Sequence, residues 1–168
     1  MSGIIRNLFT LFQAFWARGQ IDPWAPVRCH FWITPFDCGT SVLKSDKYLQ
    51  LAESAQLDFL VKTGLLFDLL RGKCSFVNAS QIIKFVKPVG MFKRVCVETE
   101  IVYADEKCTY FSHSLFVKNK RHGEVLVKVK FKKGGITVSP AEIFGECRSQ
   151  KPGHIEVWDQ MLEQMQRS

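Results

Sequence analysis

The sequence predicts an α+β domain in which an antiparallel sheet wraps around one long central helix. Three observations predict it. Residues 45–64, SDKYLQLAESAQLDFLVKTG, form the longest helix-like stretch and are apolar around most of their circumference. Strand-like runs follow this stretch, joined by links of only a few residues, so successive runs are expected to pair antiparallel. One alternating run precedes it. A helix this greasy has to be covered, and a curved sheet is the cover the chain offers.

Residues 1–18 carry Ile5, Leu8, Phe9, Phe12, Phe15 and Trp16 at helical spacing, flanked by Arg6 and Arg18. The stretch is too short and too interrupted to span a bilayer, and it lacks the small-residue cleavage site of a secretory signal. It reads as an amphipathic helix, packed on the domain or a sister subunit, or lying in the plane of an anionic membrane. Pro23 and Pro26 end it, so residues 1–26 form a terminal helix and linker. Residues 27–34, VRCHFWIT, alternate: Val27, Cys29, Phe31 and Ile33 share one side, and Arg28, His30 and Trp32 the other. That is a strand with one buried face. Residues 35–45 form a loop.

In the central helix, Ser45 is expected to cap the free N–H groups. Gly64 is expected to take the left-handed conformation that closes a helix. At ~100° per residue, Lys47, Gln50, Ser54, Asp58 and Lys62 form a polar stripe. Tyr48, Leu49, Ala52, Phe59 and Leu60 lie opposite it. Gln56 projects from the middle of the apolar face and Glu53 from its flank, while Leu51, Leu57 and Val61 fall on the side expected to be wet. A short apolar continuation, residues 65–70, precedes a turn at Arg71-Gly72.

The later strands are read at residues 75–86, 94–103, 109–117 and 124–131, connected as one long meander. Val125, Val127, Val129 and Phe131 share one face, with Lys128 and Lys130 facing away. Ser139-Pro140-Ala141-Glu142 starts a short helix. Ile155, Trp158, Leu162 and Met165 mark an amphipathic C-terminal helix that docks on the domain. The main domain is read as 27–146 and the C-terminal helix as 147–168.

The formal net charge of +7 favours an anionic partner. Nucleic acid is not expected, because the aromatic residues occupy core positions of strands instead of alternating with exposed Lys and Arg. The six cysteines show no C-x-x-C pair and read as free thiols of a reducing compartment. The four histidines lack ligand spacing, so no metal site is expected.

Several segments together resemble one family. They are Trp32-Ile33-Thr34-Pro35-Phe36-Asp37, Tyr48-Leu49 with Glu53 five residues on, Leu57 to Leu60, Ser80 to Phe85, Pro88 to Phe92, Gly134-Gly135 and Ser139 to Glu142. They resemble acyl-CoA thioesterases of the 4-hydroxybenzoyl-CoA thioesterase-like branch of the hotdog fold, over 27–146. In that family an Asp-x-Asp precedes His-Met/Val-Asn-Asn-x-x-Tyr. Here residues 37–48 are one residue shorter, Gly39 stands at the second Asp, no His is present, and Lys44-Ser45 replace the paired Asn.

The resemblance implies hydrolysis of a fatty or aryl acyl-CoA thioester. The alternative is a protein that binds acyl thioesters or fatty acids without cleaving them. It also implies a homodimer or homotetramer with sites built from two chains, and no cofactor beyond the coenzyme A of the substrate; the reducing compartment that the cysteines suggest is read as the cytoplasm. Peripheral membrane contact through residues 1–18 is a further expectation.

Thioester hydrolysis needs a carboxylate, oxyanion donors and an acyl slot. Asp37 and Glu53 are the candidate catalytic carboxylates. Glu53 is expected to be desolvated on the flank of the buried face. The helix N-terminus offers free N–H groups, so Ser45, Asp46 and Gln56 are the candidates for oxyanion and substrate positioning. Tyr48, Ala52 and Phe59 would line the acyl pocket. Lys93, Arg94, Lys132 and Lys133 would hold coenzyme A phosphates, the last two beside a Gly-Gly that lets backbone N–H groups approach.

Overall fold

The computed structural model describes residues 21–145 and 150–167. The expected terminal helix in residues 1–18 lies outside them. The elements begin with β1 (Val27–Trp32), a 3-10 turn (Pro35–Asp37), α1 (Ser45–Lys62) and α2 (Leu65–Arg71). Strands β2 (Cys74–Phe85), β3 (Arg94–Ala104), β4 (Thr109–Val117), β5 (Lys120–Lys133) and β6 (Ile136–Val138) follow. Two helices close the chain, α3 (Ala141–Phe144) and α4 (Gly153–Arg167).

The strands form one antiparallel sheet in the order β1-β3-β4-β5-β2, with β6 pairing the end of β5. The expected meander is therefore corrected in one place. β2 and β3 are not neighbours: β2 pairs with β5, and residues 86–93 carry the chain across one end of the sheet. The remaining hairpins pair as expected, but β5 starts at Lys120, four residues before the expected strand at 124–131. The β4–β5 turn is tight, with Lys118 at φ 48 and Asn119 at φ 61, the left-handed pair that suits strand twist. Irregularities at Asn78/Ser80, Ile101/Tyr103 and Leu115/Phe116 bend the strands and let the sheet curl.

α1 lies against the inner face of this curl. Tyr48, Leu51, Ala52, Ala55, Phe59 and Leu60 join Val95, Val97, Ile101, Phe111, Leu115, Val125, Val127, Val129 and Phe131 in one core. Phe59 meets Phe111 edge-on at 5.6 Å. The closing glycine behaves as expected, with Gly64 at φ 79. The start does not: Lys44 is the N-cap residue, and its side chain makes no cap bond to α1. Lys44 donates its N–H to the carbonyl of Asp37 at 3.1 Å, which holds position 44 extended and leaves Ser45 inside the first turn.

The wet side of α1 is also narrower than its pattern suggests. Leu51 and Val61 are buried, and so are Ser54 and Asp58 of the polar stripe. β1 supplies that cover: Lys62 Nζ reaches the Arg28 carbonyl at 3.3 Å. Ser54 satisfies its hydroxyl on the Gln50 carbonyl at 2.8 Å, and Lys62 Nζ pairs with Asp58 at 2.7 Å. Burial pushes the Asp58 carboxyl up, partly offset by Lys62.

One polar pair interrupts the inner face. His113 and Thr99 are opposite each other on β4 and β3, both buried, with Nδ1 and Oγ1 2.9 Å apart. Burial alone lowers the His113 pKa to about 3, so the ring is neutral.

α4 packs on part of the outer face. Ile155 and Trp158 pack with Cys108 and Tyr110 and against Ile82, Val102, Tyr103 and Leu126. Asp159 accepts from Tyr110 Oη at 2.6 Å, Lys128 Nζ at 2.6 Å and Lys151 Nζ at 2.5 Å. Burial pushes the Asp159 carboxyl up, but these three donors outweigh it and hold it below the usual range. Burial and the bond to Asp159 push the Tyr110 phenol up.

Candidate functional site

One end of the sheet gathers the end of β1, the start of β3, the end of β4, the start of β5 and the end of β2. The start of α1 lies at this end too, because Tyr48 packs against Gly123 at the start of β5. Two loops close over it. Leu43 N–H donates to Val89 O at 2.8 Å, and Met91 N–H to Ser41 O at 3.3 Å, tying residues 38–44 to residues 88–92.

Between α1 and the end of β2 lies an open groove of about 280 Å³, lined by Leu43, Ser45, Tyr48, Phe85, Val86, Lys87 and Pro88. Its walls are apolar on the Leu43, Tyr48 and Phe85 side, and Tyr48 meets Phe85 edge-on at 5.0 Å. Ser45 brings the first turn of the helix to its rim. Lys44 gives that turn no side-chain cap bond, so the positive end of the helix dipole lies at this rim. Lys87 adds a cation. An apolar slot ending at a helix N-terminus suits a long apolar tail joined to a polarised carbonyl.

The candidate residues fall into distinct places. Ser45 and Tyr48 line the groove, and Asp46 is exposed in the first turn of α1. Asp37 is close in the chain path, through its carbonyl bond to Lys44, but it is buried at 5 % exposure. Its Oδ2 accepts from Thr34 N–H at 3.0 Å and Thr34 Oγ1 at 2.7 Å. Through Oδ2, Asp37 therefore fastens the 3-10 turn.

Glu53 departs in the opposite direction: it is exposed, not desolvated. It stands nine residues beyond Lys44, roughly 13 Å along the helix axis. Gln56, one turn after Glu53, is buried, with Nε2 3.5 Å from Asn78 Oδ1 on β2. This places the Glu53 flank of α1 toward β2, the edge of the sheet.

Two members of the expected acyl pocket belong to the core instead. Ala52 and Phe59 are sealed at 1 % and 0 % exposure. The basic pairs divide as well. Lys93 and Arg94 stand at the groove end, at the start of β3. Lys132 and Lys133 stand at the far end of β5, ten residues from Gly123 and roughly 33 Å along the strand. The two pairs of one chain cannot hold the same phosphate. Gly134 and Gly135, at φ 56 and φ 87, make the β5–β6 turn, and Lys132 Nζ donates to the Gly135 carbonyl at 3.3 Å. Sequence reasoning missed Leu43, Phe85, Val86, Lys87 and Pro88. Phe85 shares the face of Ile83 only because the irregularity at Asn78/Ser80 reverses the alternation of β2, and only the fold shows that β2 ends beside the helix start.

No family model and no curated protein matches the sequence. Solved structures do match the fold. A 4-hydroxybenzoyl CoA thioesterase complexed with 4-hydroxybenzoyl CoA superimposes with a TM-score of 0.65 at 14% identity, over 73% of this chain and 99% of that one. A 1,4-dihydroxy-2-naphthoyl-CoA thioesterase from Synechocystis gives 0.63 at 12% identity, covering 72% and 93%. A probable thioesterase from Bartonella henselae gives 0.62 at 17% identity, covering 68% and 98%. The chain has the hotdog fold these proteins share.

Proposed function

We propose that this chain hydrolyses the thioester of a fatty or aryl acyl-CoA, with the acyl part in the groove at the start of α1. One observation carries the reading: an apolar groove ends at a helix N-terminus whose N-cap residue, Lys44, makes no side-chain cap bond. The thioester carbonyl points at the N–H groups of the first turn, near Ser45 and Asp46. A carboxylate takes a proton from water as the water oxygen bonds to the carbonyl carbon. The first-turn donors hold the resulting oxyanion. The C–S bond then breaks, and the coenzyme A sulfur leaves with the proton. Lys87, Lys93 and Arg94 are the cations at this end that suit its phosphates.

Of the two candidate catalytic carboxylates, Glu53 is the exposed one, with room to meet water. Its flank of α1 faces the β2 edge, so in a homodimer joined along that edge Glu53 of one chain serves a site shared with the other. Asp37 positions the loop that leads into the helix. Similarity to thioesterases of the same fold supports this reading.

A second reading is binding without cleavage. The occupied Asp37 carboxylate and the Gly39 that carries no carboxyl favour it. Thiol release from a panel of acyl-CoAs decides between them. Hydrolysis predicts release by the native protein and a loss of about a hundredfold or more in Glu53→Ala. Saturable binding with no release at any chain length would leave only the second reading. Unchanged turnover in Glu53→Ala would remove Glu53 from the mechanism.

A further inference from the structure

Three exposed aromatic residues stand on neighbouring stretches of backbone at the groove end. Trp32 is 67 % exposed, Phe36 79 % and Phe92 69 %. Backbone bonds bring them together. Phe92 N–H donates to Ile33 O at 2.9 Å, Ile33 N–H to Lys93 O at 3.0 Å, and Trp32 lies opposite Arg94 in the β1–β3 register. Phe36 sits in the 3-10 turn immediately after.

Phe92 also holds φ 57, a left-handed backbone that is strained for a bulky side chain. A glycine would hold that turn without strain. The exposed ring does not repay the strain by packing in the core.

The surroundings are cationic. Lys44, Lys87, Lys93 and Arg94 are exposed on the same two loops and strand start. Lys118, Lys120 and Arg121 are exposed on the β4–β5 hairpin at the same end. Of the acids nearby, Asp37 is buried, Glu124 is paired with Arg121 at 2.8 Å, and Asp46 is exposed at the helix start.

We propose that this end of the domain docks on an anionic lipid bilayer, with Trp32, Phe36 and Phe92 as interfacial anchors and the surrounding Lys and Arg on lipid phosphates. Exposed aromatic rings ringed by basic side chains match the chemistry of a bilayer interface, where rings sit at headgroup depth and cations meet anionic lipid. Charge argues against a second copy as the occupant, since a symmetric contact would press two cationic faces together. The groove opens on this same end, through Phe85, Val86 and Lys87. A docked protein would take an acyl chain from the membrane side. The docking itself stands whether or not the groove hydrolyses anything.

The test is co-sedimentation of the full chain with phosphatidylcholine vesicles, with and without phosphatidylglycerol. The native protein is expected to sediment with the anionic vesicles and to be released by salt. The triple substitution Trp32→Ala, Phe36→Ala and Phe92→Gly is expected to weaken this about tenfold or more. The single change Phe92→Gly is expected to keep or raise the melting temperature, because it relieves the positive φ. Lys93→Glu with Arg94→Glu should weaken binding to anionic vesicles alone. Three results would each overturn the proposal: no vesicle binding by the native protein, undiminished binding by the triple variant, or a halved solution mass in that variant, which would assign the aromatics to a second copy.

Discussion

Tyr48 fills the space that a side chain at position 123 would need. A Cβ built on Gly123 would lie 3.0 Å from Tyr48 Cε1 and 3.3 Å from the Lys84 carbonyl. The start of α1 can approach the sheet this closely only because β5 carries a glycine there. The contact seats Tyr48 against Phe85 and fixes the floor of the groove.

Gly123→Ala should therefore be destabilising by about 1–3 kcal/mol through overpacking. It should also weaken acyl-CoA binding, since Tyr48 has to move. Chemical denaturation and calorimetric titration of the same variant read both effects. Gly39→Ala is the control: its Cβ meets nothing within 4 Å, so stability should change little.

Gly39 offers a sharper experiment. The position resembles that of the second Asp in the family loop, and space there is open. Gly39→Asp should raise thiol release from acyl-CoAs without a loss of stability above about 0.5 kcal/mol. Unchanged release would show that the loop carries no latent site for a carboxylate.

The Thr99–His113 pair sets an acid limit on stability. Folded His113 has a pKa of about 3, below the usual 6.5, so the unfolded chain binds the proton more readily. This contribution is complete above about pH 6.5 and is lost as pH falls toward 3, amounting to a few kcal/mol. Urea melts at neutral pH and near pH 4.5 should differ accordingly. The double variant Thr99→Val with His113→Leu should flatten that difference, because both polar partners leave together.

Asp159 holds α4 to the sheet. Asp159→Ala removes the shared acceptor of Tyr110, Lys128 and Lys151 and should cost about 2–3 kcal/mol, discounted because the carboxylate is partly exposed. Its carboxyl titrates below the usual range, so its contribution is present above about pH 4 and is lost as pH falls through the folded value. Protease sensitivity of residues 150–167 should rise in the variant at neutral pH.

The central helix was legible because its apolar surface and Gly64 are local signals. The inner faces of β3 and β5 were legible because a period of two survives any strand order. The strand order was not, because residues 86–93 read as a turn although they cross the sheet end. Burial of Ser54 and Asp58 was hidden for a similar reason: each is satisfied within its own helix, by Gln50 and Lys62, so β1 can cover them. The candidate site was half legible. Ser45 and Tyr48 mark the helix start in the sequence itself. Phe85 and Lys87 join them only through the β2–β5 pairing, and Glu53 stands exposed because the sheet edge beside it is open.

The most direct measurement is a crystal structure with a thioether analogue of an acyl-CoA bound. The account predicts the acyl chain against Leu43, Tyr48 and Phe85, with the group next to sulfur within hydrogen-bond reach of the Ser45 or Asp46 N–H. An analogue seated elsewhere, for example in the cavity of about 560 Å³ beside Tyr110 and Asp159 under α4, would contradict it.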